Sequence, residues 1–260
     1  MVDVHAHLLP GIDDGAKDLE ASLEILALYR KQGVTDVVCT PHLPHPTDAI
    51  IDIAGFRAAV DRRDQALGLL RDATADIFPE ISLHVGAELL LSSYLPGILR
   101  IFVQECALAG SQYLLVESPV FVPGSLRAID RMLFNIQLAG LVPILAHPER
   151  MNLTRLDLAV LLEWVAQDRL LLQVNAGTLL PAETLPQDRR ERHRQRQEIV
   201  EPLFAAHAVH VIASDTHGPD VRPPVLDAAF SVASAKYGVD TARRLFFDNP
   251  RRILEGGDVA

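Results

Sequence analysis

The sequence predicts an α/β protein, a distorted (β/α)7 barrel of parallel strands wrapped by helices. Three observations carry this expectation. Seven short runs dense in Val, Leu and Ile, each bounded by Gly, Pro or polar residues, lie along the 260 residues. Runs that are apolar on both faces suit a parallel sheet covered on both sides. Helical stretches separate them, so the chain reads β-α-β-α, the order of a parallel sheet. Finally, His, Asp or Glu stand at the C-terminal end of six of the seven runs, the end at which such barrels build their sites.

The first strand spans residues 2–8 and holds His5-Ala6-His7. Strand side chains alternate faces, so two imidazoles two residues apart point the same way and make half of a metal site. The turn Gly11-Ile12-Asp13-Asp14-Gly15 follows with spare carboxylates, then a helix over 18–32 with Leu19, Leu23, Leu26 and Ala27 apolar and Gly33 as its stop. Strand two, 36–41, ends beside His42; a helix over 56–75 leads to strand three, 83–91, which carries Glu88. Strand four, 113–117, ends on Glu117, and a helix over 125–139 stops at Gly140. Strand five, 142–146, runs into His147-Pro148-Glu149-Arg150; a helix over 156–167, with Trp164 as core, leads to strand six, 170–175. Strand seven, 210–214, delivers Asp215 and His217, and a helix over 225–237 follows. No linker, low-complexity tract or repeat divides the chain, so residues 1–260 are expected to form one domain.

Composition narrows the function. A net charge of −10 disfavours stable nucleic-acid binding, because the field that attracts phosphate backbones is missing. It does not disfavour a phosphorylated substrate held by cations. The two cysteines, Cys39 and Cys106, suggest reduced structural thiols rather than a disulfide framework. No run approaches the roughly 18 apolar residues of a membrane span, and the N-terminus has no signal-peptide pattern. A cytoplasmic protein is expected.

His5, His7, Asp14, His42, Glu88, Glu117, His147, Asp215 and His217 are the candidate metal ligands. Burying so many ionisable groups together is expensive unless cations pair with the carboxylates and ligate the imidazoles. Nitrogen and carboxylate donors without thiolate suit Mn, Fe or Zn, and nine exceed what one ion needs, so two to three divalent ions are expected. Adjacent ions can bridge and deprotonate a water and clamp an in-line displacement at phosphorus. Arg150 and Arg222 lie close to ligand motifs, and a guanidinium grips phosphate bidentately; the ordinary alternative for each is a surface salt bridge.

The chain resembles the polymerase and histidinol phosphatase (PHP) superfamily. Within it, the chain is similar to the manganese-dependent bacterial protein-tyrosine phosphatases of capsule and exopolysaccharide loci. The residues that carry this are Asp3 through Gly15, Thr40-Pro41-His42, Gly86-Ala87-Glu88, His147-Pro148-Glu149-Arg150, Val174-Asn175-Ala176-Gly177 and Ser214-Asp215-Thr216-His217. The run His7-Leu8-Leu9-Pro10-Gly11-Ile12-Asp13-Asp14-Gly15 is specific to that branch, whereas H-x-H alone is common to many metallohydrolases. The resemblance implies a PHP-type barrel and a trinuclear centre, manganese first and iron or zinc as alternatives. His5, His7, Glu88 and Asp215 would hold one ion. Glu88 would bridge to a second ion held by Glu117 and His147, with Glu117 the position at which other branches use histidine. Asp14, His42 and His217 would hold the third. Arg150 and Arg222 would bind the phosphate. The implied reaction is hydrolysis of phosphotyrosine, in the tail of a tyrosine autokinase that controls polysaccharide export, by a hydroxide bridging the ions. A phenolate leaves with a conjugate-acid pKa of about 10, so it needs less protonation than an alkoxide. Asp14 and His42 are the candidates for general acid.

Other functions fit these residues less well. A thiol phosphatase needs an Arg six residues after its cysteine, but those positions are His45 and Gln112. A histidinol-phosphate or other small-molecule phosphoesterase keeps the metals and changes the substrate; the 10–15 run argues against it. A PHP nuclease meets the charge of −10, although a short oligonucleotide escapes that argument. A scaffold with a decayed site would lack ligands, and all nine positions are filled. The arginine-rich run 189–196 reads first as a solvated helix face, with a docking surface for an acidic tail as the alternative. His84, His193, His207 and His210 read as structural or exposed, and His45 as a residue at the mouth of the site.

Overall fold

Among the described residues eight strands, all paired in parallel, form the framework. One sheet has the order β1 (Val2–Ala6), β2 (Asp36–Cys39), β3 (Ser82–Val85). The other runs β4 (Glu88–Leu90), β5 (Tyr113–Glu117), β6 (Val142–Ala146), β7 (Leu171–Asn175), β8 (Val211–Ala213). The structure is a computed structural model that describes residues 1–43, 52–118 and 126–259. His45 and Ser125 lie outside those residues.

The predicted strand over 83–91 is two strands, β3 and β4, parted at Gly86-Ala87. A Cβ at Gly86 would run into Val38, Thr40 and Leu108, so only glycine fits where the chain turns from one sheet to the other. The fully buried Arg63 fixes the same point by donating from Nη1 to the carbonyls of Gly86 (3.1 Å) and Glu105 (2.5 Å). The expected single ring of seven strands is therefore drawn as parallel sheets of three and five. Hydrogen bonds bridge both seams at the C-terminal ends. Asp215 N donates to His5 O and His7 N to Thr216 O, both at 2.9 Å; Glu88 N donates to Pro41 O at 3.0 Å and Leu43 N to Glu88 O at 3.2 Å.

Helices cover the strands: α1 (Leu19–Lys31), α2 (Ile53–Thr74), α3 (Leu95–Leu99), α4 (Val103–Cys106), α5 (Asp130–Leu138), α6 (Arg155–Ala166), α7 (Ala176–Leu179), α8 (Gln187–Ala205), α9 (Leu226–Tyr237), α10 (Val239–Arg243) and α11 (Asn249–Glu255). Local sequence sets their starts. Asp18 caps α1 by accepting from Ala21 N, and Thr154 with Asp157 makes a reciprocal capping box on α6. Apolar side chains of the strands divide between two buried clusters. One holds Val2, Val4, Val38, Leu115, Ile144 and Val211; the larger one packs Leu114, Val116, Leu172, Val174 and Ile212 with helix residues such as Leu26 and Trp164. Cys39 and Cys106 are buried and free, and burial pushes each thiol up to about 12, so neither is a ready nucleophile. Among the described residues no helix is long and apolar enough to cross a membrane.

Candidate metal centre

Strand ends and the turns after them present every candidate ligand. His5 and His7 come from β1 and the residue after it, and the β1–β2 register shifts between Asp3 and Ala6. Asp14 comes from the following turn, which is closed by Gly11 N to Ala16 O (2.8 Å) and Ala16 N to His7 O (3.0 Å). Gly15 lies so close to His7 that a Cβ there would collide with the His7 backbone and Cβ. Glu88 opens β4 and Glu117 closes β5; His42 follows β2, His147 follows β6, and Asp215 and His217 follow β8. His147 (φ 35°) and Asp215 (φ 52°) are left-handed, an uncommon conformation for non-glycine residues that gathers at functional sites.

These side chains converge. His5 Nε2 lies 3.2 Å from His7 Nε2, 3.3 Å from Glu88 Oε2 and 3.4 Å from Asp215 Oδ1. His7 Nε2 is 3.2 Å from Glu88 Oε2 and 3.5 Å from Asp215 Oδ1. Glu88 also meets His147 Nε2 through Oε1 at 3.0 Å and His42 Nδ1 through Oε2 at 3.2 Å. Glu117 Oε1 is 3.4 Å from His42 Nδ1, and Asp14 Oδ1 is 3.4 Å from His217 Nε2 and 3.7 Å from His42 Nε2. Among the described residues four overlapping groups each bring their donor atoms within 4.8 Å of one another, close enough to share an ion: His7, Asp14, His42 and His217; His5, His147 and Asp215; His5, His7 and Glu88; His42, Glu88 and Glu117. All nine predicted residues are thus brought together, though His147 groups with His5 and Asp215, and Glu117 with His42 and Glu88.

Electrostatics fits a cation. Glu88 and Asp215 are each 1% exposed, and Glu88 Oε2 and Asp215 Oδ1 have no hydrogen-bond donor. A buried carboxylate oxygen without a donor is costly. Both oxygens face imidazole nitrogens at 3.2–3.5 Å. Donors about 2.1 Å from one shared ion stand roughly this far apart. Burial lowers the proton affinity of His7, yet the hydrogen bond to Asp13 and the charge of the adjacent Glu88 outweigh it and raise the pKa to about 10. Burial takes His42 down to about 4, and burial with the neighbouring Glu88 lifts Glu117 to about 7. Metal ions would displace the protons that hold this cluster of opposed charges together.

A family model described as "Capsular polysaccharide synthesis, CpsB/CapC" matches residues 1–255. The chain belongs to the CpsB/CapC family. Among its relatives is the tyrosine-protein phosphatase CpsB of Streptococcus pneumoniae, 28% identical over 255 residues that cover 98% of each chain. Another is the tyrosine-protein phosphatase YwqE of Bacillus subtilis, 28% identical over 242 residues, covering 92% of this chain and 85% of that one. In fold the chain matches a structure from the work on YwqE of Bacillus subtilis and CpsB of Streptococcus pneumoniae, described as unique metal-dependent tyrosine phosphatases. The TM-score is 0.81 at 23% identity, over 100% of this chain and 96% of that one.

Around the ligands, this CpsB/CapC family member has a supporting layer that sequence reading missed. Asp13 Oδ2 accepts from His7 Nδ1 at 2.6 Å and from His42 N at 3.0 Å. Gln173 Oε1 lies 2.9 Å from His5 Nδ1. Each contact puts the proton on Nδ1 and turns the Nε2 lone pair toward the cluster. Asn175 Nδ2 donates to Asp215 Oδ2 at 2.7 Å. The buried Glu149 accepts from Asn175 N (2.9 Å) and Thr178 Oγ1 (3.1 Å). Asp3 accepts from Tyr29 Oη at 2.6 Å and Ser214 N at 3.1 Å, pinning β1 to the β8 turn. The available signals were Gln173 and Asn175 two apart on an otherwise apolar strand, and Asp13 beside Asp14. Arg150 and Arg222 both reach Asp215 Oδ2 through Nη1, at 3.0 and 2.9 Å, and each stays 35% exposed, so the rest of each guanidinium fork is open to a ligand.

Proposed function

We propose that this protein is a metal-dependent protein-tyrosine phosphatase that hydrolyses phosphotyrosine in proteins and does not use a cysteine. The observation that carries this is the pair of donorless buried carboxylate oxygens, on Glu88 and Asp215, facing imidazoles beside two half-open arginines. Membership of the CpsB/CapC family and relatives named as tyrosine-protein phosphatases support the choice of substrate. His5, His7, Asp14, His42, Glu88, Glu117, His147, Asp215 and His217 would hold two to three divalent ions, manganese first. Bound divalent ions supply hydroxide near neutral pH and positive charge against phosphate oxygens.

The chain's own residues do the rest. Asp13 and Gln173 fix a proton on Nδ1 of His7 and His5 and aim each Nε2 at the cluster, where an ion would take the place of its proton. Arg150 and Arg222 take the phosphate oxygens, neutralising charge on the equatorial positions while Asp215 holds their Nη1 atoms in place. A phenolate leaves without a dedicated acid in the best position, since its conjugate-acid pKa is about 10. In this reading the two sheets act together as one distorted seven-position barrel, joined at the His5–Asp215 and Pro41–Glu88 seams, and residues 1–260 form one domain. The phosphoprotein would be the tail of a tyrosine autokinase in capsule or exopolysaccharide synthesis, met in the cytoplasm.

The test is a specificity panel on manganese-reconstituted protein with phosphotyrosine, phosphoserine and phosphothreonine peptides, histidinol phosphate and a short oligonucleotide. Phosphotyrosine peptide should be preferred, and chelator should abolish turnover. A preference for histidinol phosphate would replace this reading with the small-molecule phosphoesterase one.

A further inference from the structure

The arginine-rich segment of α8 is not uniformly solvated. His193 is buried, with Nε2 2.8 Å from Leu180 O, and Gln197 Nε2 donates to the carbonyls of Thr178 (3.1 Å) and Leu180 (2.9 Å). These contacts seat one face of α8 on the loop after β7, and α8 also packs against the Pro148–Arg150 turn that carries Arg150. Arg196 belongs to that face. It follows His193 by three residues and precedes the buried Val200 by four, so helical spacing places it toward the molecule rather than toward solvent.

The arginines of this helix divide in two. Arg190 donates to the carbonyls of Leu185 and Glu183, and Arg194 pairs with Glu183 at 3.3 Å, so both tie down the preceding loop. The side chains of Arg189, Arg192 and Arg196 make no hydrogen bond or ion pair among the described residues. They stand at i, i+3 and i+7, one stripe of the helix. Its inner end, Arg196, is half-buried within electrostatic reach of Arg150, Arg192, Arg222 and Glu149. Burial first, and then the like charge of Arg150, lower its proton affinity. Glu149 acts on it only from beyond ion-pair distance: its Oε1 accepts from Asn175 and Thr178, and its buried Oε2 has no hydrogen-bond partner. A half-buried guanidinium among other guanidiniums, in a protein of net charge −10, has no reason in folding to lack an anion.

We infer that Arg196, with Arg192 and Arg189 leading to it, forms a second anion subsite beside the Arg150–Arg222 phosphate grip, and that it takes an acidic side chain flanking the substrate phosphotyrosine. Charge complementarity names the occupant: a carboxylate on the same peptide as the phosphate meets free guanidiniums in one continuous stripe. The inference rests on the phosphotyrosine reading and adds to it a preference for acidic sequence.

The test uses the full, manganese-loaded chain and peptides carrying a non-hydrolysable difluoromethylphosphonate analogue of phosphotyrosine, flanked by Glu, Ala or Lys, with affinity read by fluorescence anisotropy. Wild type should bind the Glu-flanked peptide about tenfold more tightly than the Ala-flanked one. Arg196→Gln should shrink that ratio to about twofold or less, and Arg196→Glu should turn the preference to the Lys-flanked peptide. Arg192→Glu, on an exposed turn, should shift the ratio in the same direction if a position-196 variant fails to fold. An unchanged ratio in the variants overturns the inference, as does an equal loss for all three peptides, which would mean that Arg196 grips the phosphate itself. Turnover of an Ala-flanked phosphotyrosine peptide by wild type separates the two claims. If it occurs while the ratio test fails, only the subsite falls; if wild type cleaves no phosphotyrosine peptide, both fall.

Discussion

At the N-terminal ends of the strands, Asp36 is buried with a donor for each oxygen. His84 Nε2 lies 3.0 Å from Oδ1, while Arg251 Nη2 (2.5 Å) and Thr35 Oγ1 (2.8 Å) serve Oδ2. At the C-terminal ends, Glu88 and Asp215 are more deeply buried, yet each keeps one oxygen without a donor and faces imidazoles. The two regions use the same residue types. They differ in whether the protein alone completes the hydrogen bonding. A satisfied buried carboxylate contributes to the fold; an unsatisfied one among His nitrogens is preorganised for a cation that the chain does not encode.

That difference is broken most directly by paired truncations. Asp215→Ala should remove metal and activity together, with kcat falling by about 10³-fold or more, since the ion site supplies much of an acceleration that in enzymes starts near 10⁶. Asp36→Ala should leave kcat and metal content within about twofold and lower stability by about 1–3 kcal/mol, as expected when buried donors lose their acceptor. Metal analysis and denaturant titration of both variants check this. Loss of turnover in folded, metal-loaded Asp36→Ala would end the distinction between the two ends.

The same contrast explains what could be read from sequence. His5, His7, His42, His147, Asp215 and His217 were legible because a ligand at a strand end is a local signal, visible as an apolar run followed by an ionisable residue. The strand and helix order was legible for the same reason. The break between β3 and β4 was not, because what makes Gly86 obligatory is crowding by Val38, Thr40 and Leu108, and what holds it is Arg63, all from other elements. Nor were the roles of Gln173 and Asn175, whose partners His5 and Asp215 lie 168 and 40 residues away. The run 189–196 on α8 is mostly exposed, as a solvated face would be, but His193 is buried and Arg190 and Arg196 are half-buried, because composition reports charge and not which face of a helix is covered.

Arg150 sharpens the comparison within the mouth itself. It touches Asp215 but is not a ligand type, so Arg150→Ala should keep the metal and still lose about 10²–10³-fold in kcat, the scale of removing one preorganised charge-stabilising donor. Unchanged metal content with a lowered kcat separates anion binding from metal binding; unchanged kinetics would take Arg150 out of the site. A variant that loses metal as well would mean that the guanidinium acts by holding Asp215 rather than the phosphate.

The smallest effect belongs to a histidine at the satisfied end. His210, just before β8, accepts from Leu172 N through Nδ1 at 3.1 Å, so protonating that nitrogen breaks a hydrogen bond. Burial, opposed by a backbone hydrogen bond to Ala208, brings its pKa down to about 4. An unfolded histidine titrates near 6.5. Above that pH both states are neutral and the site contributes no pH dependence. Between about 6.5 and 4 the unfolded chain binds a proton that the folded chain refuses, so stability falls as pH falls, by about 2 kcal/mol at pH 5. The chelator-treated protein should therefore lose about that much more stability between pH 7.5 and 5 than His210→Gln does. Subtracting the variant matters because His42, in the mouth, is also held near 4 by burial and adds an acid limb of its own. If His210→Gln loses as much stability on acidification as wild type, the acid sensitivity resides in the mouth imidazoles. The end of the molecule that is satisfied by hydrogen bonds would then be insensitive to pH in this range, and the two regions would differ in titration as well as in metal binding.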